Sequence, residues 1–243
     1  MPSANEKVAL VTGASRGIGA ATAVKLAEAG FDLALNYRSK AARAEKVART
    51  IRDLGRNVLL AQADLTLEHE LASMMQLIGE TFGRLDLLIL NASGGLEKGK
   101  PDDYATELNR TAQLRTAQSA VELMRAGGRI VFVTSHWAHF YGVKPVMPAY
   151  EPVAKSKRAG EDALREYAAG LTEKSISFVV VSGDAIDGTI TPRLLNRLTA
   201  GAMDNRRREG TLPTVDEFAA AICQAAIDQS LAAGHTVFVG STD

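Results

Sequence analysis

Val8-Ala-Leu-Val-Thr-Gly-Ala-Ser-Arg-Gly-Ile-Gly19 is the stretch whose reading decides the fold of this chain. Val8 to Val11 is an apolar run of buried-strand character. Gly13, Gly17 and Gly19 follow it, and Ala20 to Ala29 is an Ala/Leu-rich helical segment closed by Gly30. Strand, glycine turn and helix in that order make a βα unit. Gly13 permits a turn that a Cβ would resist, Gly17 lets backbone approach a ligand, and Gly19 lets the helix pack on the strand. N–H groups at the start of such a helix, with its positive dipole end, bind phosphate without a basic side chain. The expected ligand of the turn is therefore a diphosphate.

Outward from this unit, strand and helix patterns alternate. Strands are expected at 31–36, 58–63, 85–90, 129–134, 176–181 and 235–239. Helices are expected at 41–54, 67–82, 102–124, 152–171 and 215–232. Leu85 to Leu90 is almost wholly apolar, as a strand covered on both faces must be. With the first strand this makes seven, and with no repeat or linker the chain reads as a single α/β domain spanning 1–243. The predicted fold is a doubly wound, Rossmann-type seven-stranded parallel sheet with helices on both faces. Right-handed crossovers place the strand ends at Gly13, Asn91, Ser135 and Ser182 on one edge, where such sheets bind ligands.

Composition narrows the function classes. The 28 basic and 28 acidic residues cancel, so no general attraction to nucleic acid or to an anionic membrane is expected. A lone Cys223 forms no internal disulfide, and no signal peptide or membrane-crossing run is read, which predicts a cytoplasmic protein.

Five ordered motifs then resemble the short-chain dehydrogenase/reductase family. Thr12 to Gly19 is similar to its TGxxxGxG, Asp64-Leu65 to the acidic position after its third strand, and Asn91-Ala92-Ser93-Gly94 to its NNAG element. Asn109 stands where the family has a helical asparagine, and Ser135 where it has a catalytic serine. The resemblance implies a nicotinamide cofactor held by Gly13, Ser15, Arg16, Gly17, Ile18, Gly19, Tyr37, Arg38, Ser39, Asp64, Leu65, Asn91, Ala92, Ser93, Lys157, Ser182 and Gly183. It also implies a homo-oligomer, tetramer or dimer, assembled through the helices near 102–124 and 152–171. Charge selects the cofactor form: the end of the second strand carries Asn36 rather than a carboxylate, and Arg16 and Arg38 could embrace a 2′-phosphate. NADP(H) is expected.

The catalytic motif departs from the common form. Lys157 has Val153, not tyrosine, four residues before it, and Tyr150 lies seven before. That Tyr-x6-Lys spacing resembles the enoyl-[acyl-carrier-protein] reductases of the family, as does the unusual Ser182-Gly183-Asp184-Ala185-Ile186-Asp187. Seven residues are two helical turns, roughly 10 Å, so Tyr150 and Lys157 share a face. Pro152 suits the first helical turn and leaves Tyr150 in the lead-in. The resemblance implies that Lys157 binds the nicotinamide ribose and lowers the tyrosine pKa, while Tyr150 donates to the substrate oxygen. Ser135 and Asn109 would support the site, and Tyr141 is a second candidate substrate residue.

The expected reaction is hydride transfer to an enoyl or keto substrate of thioester type. Reduction of a small ketone by an ordinary carbonyl reductase is a second reading. A non-catalytic NADP(H)-binding regulator or assembly subunit is a third, motivated by Val153. No metal site is expected, and His136 and His139 read as pocket lining. Thr189 to Gly210 resembles a substrate lid of about 188–212, and Arg206-Arg207-Arg208 reads as a solvated charge run.

Overall fold

A computed structural model of the chain describes residues 6–97, 99–198, 203 and 211–242. Seven strands pair in parallel in the order β3-β2-β1-β4-β5-β6-β7: β1 (Val8–Val11), β2 (Asp32–Tyr37), β3 (Val58–Gln62), β4 (Leu85–Leu90), β5 (Met124–Ser135), β6 (Ser177–Gly183) and β7 (Thr236–Val239). This is the doubly wound sheet that the sequence predicts. Its order reverses between β1 and β4, and at that point the chain leaves both strands toward one edge.

Helices cover both faces. α1 (Gly17–Glu28), α2 (Ala41–Asp53) and α9 (Val215–Ile227) lie with one apolar cluster built on Ala9, Val11, Leu33, Ile89, Val131 and Val179. α3 (Glu68–Phe82), α5 (Ala112–Val121) and α7 (Glu151–Ala169) contribute to the opposite cluster around Leu10, Leu88, Ile130, Phe132 and Val180. Alternate residues of each central strand thus feed opposite cores, which is why β1, β2 and β4 are buried along their whole length. A third, smaller cluster of Ala138, Tyr150, Val153, Ala154, Leu195, Met203 and Leu212 sits beyond the sheet. It includes α8 (Ile190–Leu198), from the expected lid. Arg206-Arg207-Arg208 and most of the remaining lid lie outside the described residues.

The structure corrects three boundaries. The helix expected over 102–124 is a short α4 (Tyr104–Thr106), a π-helical turn (Glu107–Thr111) and α5. β5 begins five residues early, at Met124, because Met124 pairs with Leu85 across an irregular register before Arg129 pairs with Leu87. The last helix stops at Ile227 rather than at 232. There the buried Arg129 guanidinium takes the carbonyls of Ala225, Asp228 and Leu231, which would otherwise face a low-dielectric interior unpaired.

Candidate active site

The glycine turn is held from below. Asn91 Nδ2 donates to the Thr12 carbonyl at 2.9 Å, and the buried Thr12 hydroxyl accepts from the Asn91 and Ala92 amides at 2.9 and 3.0 Å. A Cβ on Gly19 would stand 2.5 Å from both Asn91 Nδ2 and the Gly13 carbonyl oxygen, so only glycine lets α1 begin here. Gly17 differs: at φ +55 its Cβ position has no atom within 4 Å, so the residue meets open space above a helix start. Arg16, exposed and extended, is the N-cap of α1 and makes no side-chain cap, and the first turn holds no acidic residue. The leading N–H groups therefore face outward without a carboxylate competitor, the arrangement a phosphate fits. Ser15 and Ile18 are half-buried in the same turn, and Ile18 also packs on the core.

Asn36, at the position where a carboxylate would read a ribose 2′-OH, is committed to architecture. It is 2% exposed, accepts from the Gly13 amide at 3.3 Å and donates to the Ala61 and Ala63 carbonyls at 3.2 Å each. Tyr37 is buried with its hydroxyl 3.4 Å from Gln62, while Arg38 and Ser39 are exposed beyond the strand end. Asp64 accepts from the amide and hydroxyl of Thr66 and lies 4.0 Å from Arg38, and Leu65 is a core residue. Ala92 is held by its carbonyl on Gln113 Nε2 at 2.6 Å, and Ser93 is exposed beside it. At the end of β6, Ser182 is fully buried, with its Oγ 2.8 Å from His136 Nδ1. Gly183 lies where a Cβ would meet the Phe218 ring at 2.6 Å.

On the same sheet edge, Ser135 ends β5 and caps α6 (His136–His139) by accepting from the Ala138 amide. Tyr150 closes a 3₁₀ turn (Pro148–Tyr150) as the N-cap of α7, with Pro152 in the first helical turn. Its hydroxyl lies 3.2 Å from Ser135 Oγ, and its ring packs on Trp137 at 5.2 Å between centroids. Val153, at the common tyrosine position, is buried in the third cluster and lies under Gly95. Tyr141 is half-buried on the rim of that cluster, its hydroxyl donating to Glu151.

Lys157 is buried, and that burial pulls its ammonium down from 10.5 to about 8, with Glu161 acting in the opposite sense. Burial pushes the Tyr150 phenol up, against a smaller lowering by Ser135. The lowered tyrosine expected from the resemblance is therefore not found in this arrangement: desolvation of the phenolate dominates. Asn109, within the π-helical turn, exchanges hydrogen bonds with the Gly94 backbone and donates to Ser156 Oγ at 2.9 Å. His139 Nδ1 meets the fully buried Glu161 carboxylate at 2.9 Å, and Arg165 binds the same carboxylate. Among the described residues, no group of three or more His, Cys, Asp or Glu side chains could hold a metal ion. No described helix is long and apolar enough to cross a membrane.

Sequence reasoning did not single out Gln113, Tyr104, Ser156 or Glu161, because their partners Ala92, Arg38, Asn109 and His139 lie 21, 66, 47 and 22 positions away. Flanked by Gly160 and Asp162, Glu161 reads in sequence as part of a solvated helix face.

Comparison with known proteins agrees with this fold. Residues 7–197 match the family model described as short chain dehydrogenase. Hydroxynaphthalene reductase arp2 of Aspergillus fumigatus is 38% identical over 176 residues, covering 69% of this chain and 62% of that protein. The chain thus matches somewhat under two thirds of that relative's length. Among solved structures, a short chain dehydrogenase from Burkholderia cenocepacia in complex with NADP superposes with a TM-score of 0.82 and 29% identity, covering 96% of each chain. The angucycline C-6 ketoreductase LanV with bound NADP has a TM-score of 0.79 at 27% identity, covering 97% of this chain and 95% of its own. On the match of 7–197 and on the fold that those residues build, the chain belongs to the short chain dehydrogenase family.

Proposed function

We propose that the chain is an NADPH-dependent carbonyl reductase, delivering hydride to a keto carbon and a proton to its oxygen. The Ser135–Tyr150 pair at 3.2 Å carries this reading, because two hydroxyls beside each other can both donate to one carbonyl oxygen. The relatives named above that reduce hydroxynaphthalenes or an angucycline C-6 ketone support a keto substrate of ring type, and the Trp137 and Tyr150 rings, tilted 57° to each other, supply an aromatic contact for one. A ketone of an acyl thioester meets the same two donors.

NADP(H) fits the residues present: Gly13, Gly17 and Gly19 with the uncapped start of α1 would hold the diphosphate, and Arg16 and Arg38 the 2′-phosphate. When bound, the nicotinamide supplies the hydride. Tyr150 stays protonated at neutral pH because its phenolate is desolvated, so it enters the reaction as an acid. Its O–H and that of Ser135 polarise the carbonyl. As the carbon takes hydride, the developing alkoxide takes the Tyr150 proton, and the phenolate left behind recovers one from solvent. Lys157, buried on α7 and held as an ammonium below its pKa of about 8, would hold the nicotinamide ribose. Asn109 positions Ser156 and the Gly94 backbone beside it.

Enoyl reduction is a second reading, favoured by the seven-residue interval from Tyr150 to Lys157. NADPH oxidation with a ring ketone, acetoacetyl thioester and crotonyl thioester separates the readings. Turnover of a ketone that falls at least about 100-fold in Tyr150→Phe is the expected result. Turnover of crotonyl thioester alone would move the assignment to enoyl reduction. Tight NADPH binding with no turnover on any of them would support the regulator instead.

A further inference from the structure

One contact near the proposed 2′-phosphate site belongs to neither the glycine turn nor the catalytic group. Arg38, just past β2, donates Nη1 to the Tyr104 hydroxyl at 2.5 Å, joining the end of β2 to the start of α4. Tyr104 is 7% exposed, its ring packed in the core, and Lys100 Nζ lies 4.6 Å over that ring. Gln62 fixes the Arg38 backbone by donating Nε2 to its carbonyl at 3.1 Å. The nearest carboxylate, Asp64, is 4.0 Å from the guanidinium, and one of its oxygens is already spent on Thr66.

Tyr104 Oη accepts from Arg38, yet among the described residues nothing accepts the O–H of Tyr104. Burial pushes this phenol up, outweighing the attraction of Arg38, so that O–H remains a donor at neutral pH. A guanidinium with N–H groups to spare and a part-buried O–H that no described residue accepts therefore meet at the strand end, with the Lys100 ammonium over the same ring. There a 2′-phosphate would be read in folds of this kind.

We propose that Tyr104 is a specificity-determining residue for the 2′-phosphate: it orients Arg38 and donates its own O–H to the same phosphate. This rests on the reading of Arg38 given above. It makes the start of α4, and not only the end of β2, part of the choice between NADPH and NADH.

Binding measurements with NADPH, NADH, 2′,5′-ADP and 5′-AMP test it without turnover. Tyr104→Phe keeps the buried ring and removes only the hydroxyl. It is expected to weaken NADPH and 2′,5′-ADP by about tenfold, the factor of one hydrogen bond to a charged partner, and to change NADH and 5′-AMP less than about twofold. Adding Tyr104→Phe to Arg38→Ala should cost NADPH less than it costs the wild type, because the two groups share one phosphate. Equal losses for all four nucleotides, or no loss, would overturn the proposal by showing a packing role. If Arg38→Ala leaves the NADPH-to-NADH ratio unchanged, the reading of Arg38 itself fails, whatever Tyr104→Phe does.

Discussion

Gly160 on α7 lies so close to the Asn109 carbonyl oxygen that a Cβ at Gly160 would stand 2.0 Å from it, and 3.3 Å from Arg110 Cα. Those atoms are backbone and cannot swing aside, so the absence of a side chain sets how deeply α7 seats against the π-helical turn. Seating depth in turn fixes Ser156 on Asn109 and Lys157 beside it. Glycine to alanine inside a helix ordinarily stabilises by about 1 kcal/mol. Here overpacking wins, and Gly160→Ala is expected to lose about 3 kcal/mol, measured by urea denaturation. A gain in stability would show that the two helices separate freely.

Tyr150→Phe and Ser135→Ala divide the two hydroxyls of the site. Loss of the acid should lower kcat at least about 100-fold, and loss of the second donor about 10- to 100-fold, with NADPH affinity unchanged in both. Ser135→Ala also removes the cap on α6, so its melting temperature should be recorded beside its rate. Unimpaired turnover in Tyr150→Phe would remove Tyr150 from the chemistry.

Lys157 predicts a trade of stability against function. Its pKa is lowered from 10.5 to about 8, so between those values the unfolded chain holds a proton that the folded one does not. By linkage the stability of the nucleotide-free protein rises with pH through that window, and below it the buried ammonium costs up to about 3 kcal/mol. Lys157→Met should therefore unfold later than wild type at neutral pH, lose the alkaline rise, and lose activity. A wild-type stability curve that is flat from about pH 8 upward would contradict this assignment.

Glu161 gives the opposite sign. Burial alone would raise its carboxyl, but His139 and Arg165 outweigh burial and hold it below the ordinary carboxylate value. Its contribution is present above that ordinary value and is lost as pH falls through the lowered one. Glu161→Ala strands a histidine and an arginine that join α6, α7 and the start of β7, and is expected to cost about 3–5 kcal/mol. Acid denaturation of the variant should be less steep than that of the wild type. An unchanged acid limb would refute the role.

Asn36→Asp tests whether the strand end can be recoded. The new carboxylate would face the Ala61 and Ala63 carbonyls with no N–H to give them, so a loss of about 1–3 kcal/mol is expected in chemical denaturation. Affinity for NADH should not improve, because this side chain points at the glycine turn and β3 and not at the exposed Arg38 side. Tighter NADH binding would show that Asn36 reaches the ribose.

How far the site was legible varied with the range of the interactions. The glycine turn declared itself because local backbone conformation, φ +65 at Gly13 and +55 at Gly17, demands a residue type that sequence shows directly. The first-turn preference of Pro152 located Tyr150 in the same way. Asn36 was legible as the absence of a carboxylate, but its grip on Ala61 and Ala63 depends on β2–β3 register. The break in the helix at 107–111 carries no local signal, since Leu108 to Ala112 would all accept an ordinary α-helix.

Sequence by itself determined the alternation of strands and helices and the parallel sheet with its strand-end turns on one edge, because periodicity, glycine and proline act within a few residues; Ser135, Tyr150 and Lys157 were candidates through the family resemblance of their motifs. Only the tertiary structure decided that Tyr150 meets Ser135, that burial raises one group and lowers another, and that Arg38 leans on Tyr104, 66 positions away. Those outcomes depend on how closely separate elements pack and how completely they exclude water, and neither quantity is written in any one segment of chain.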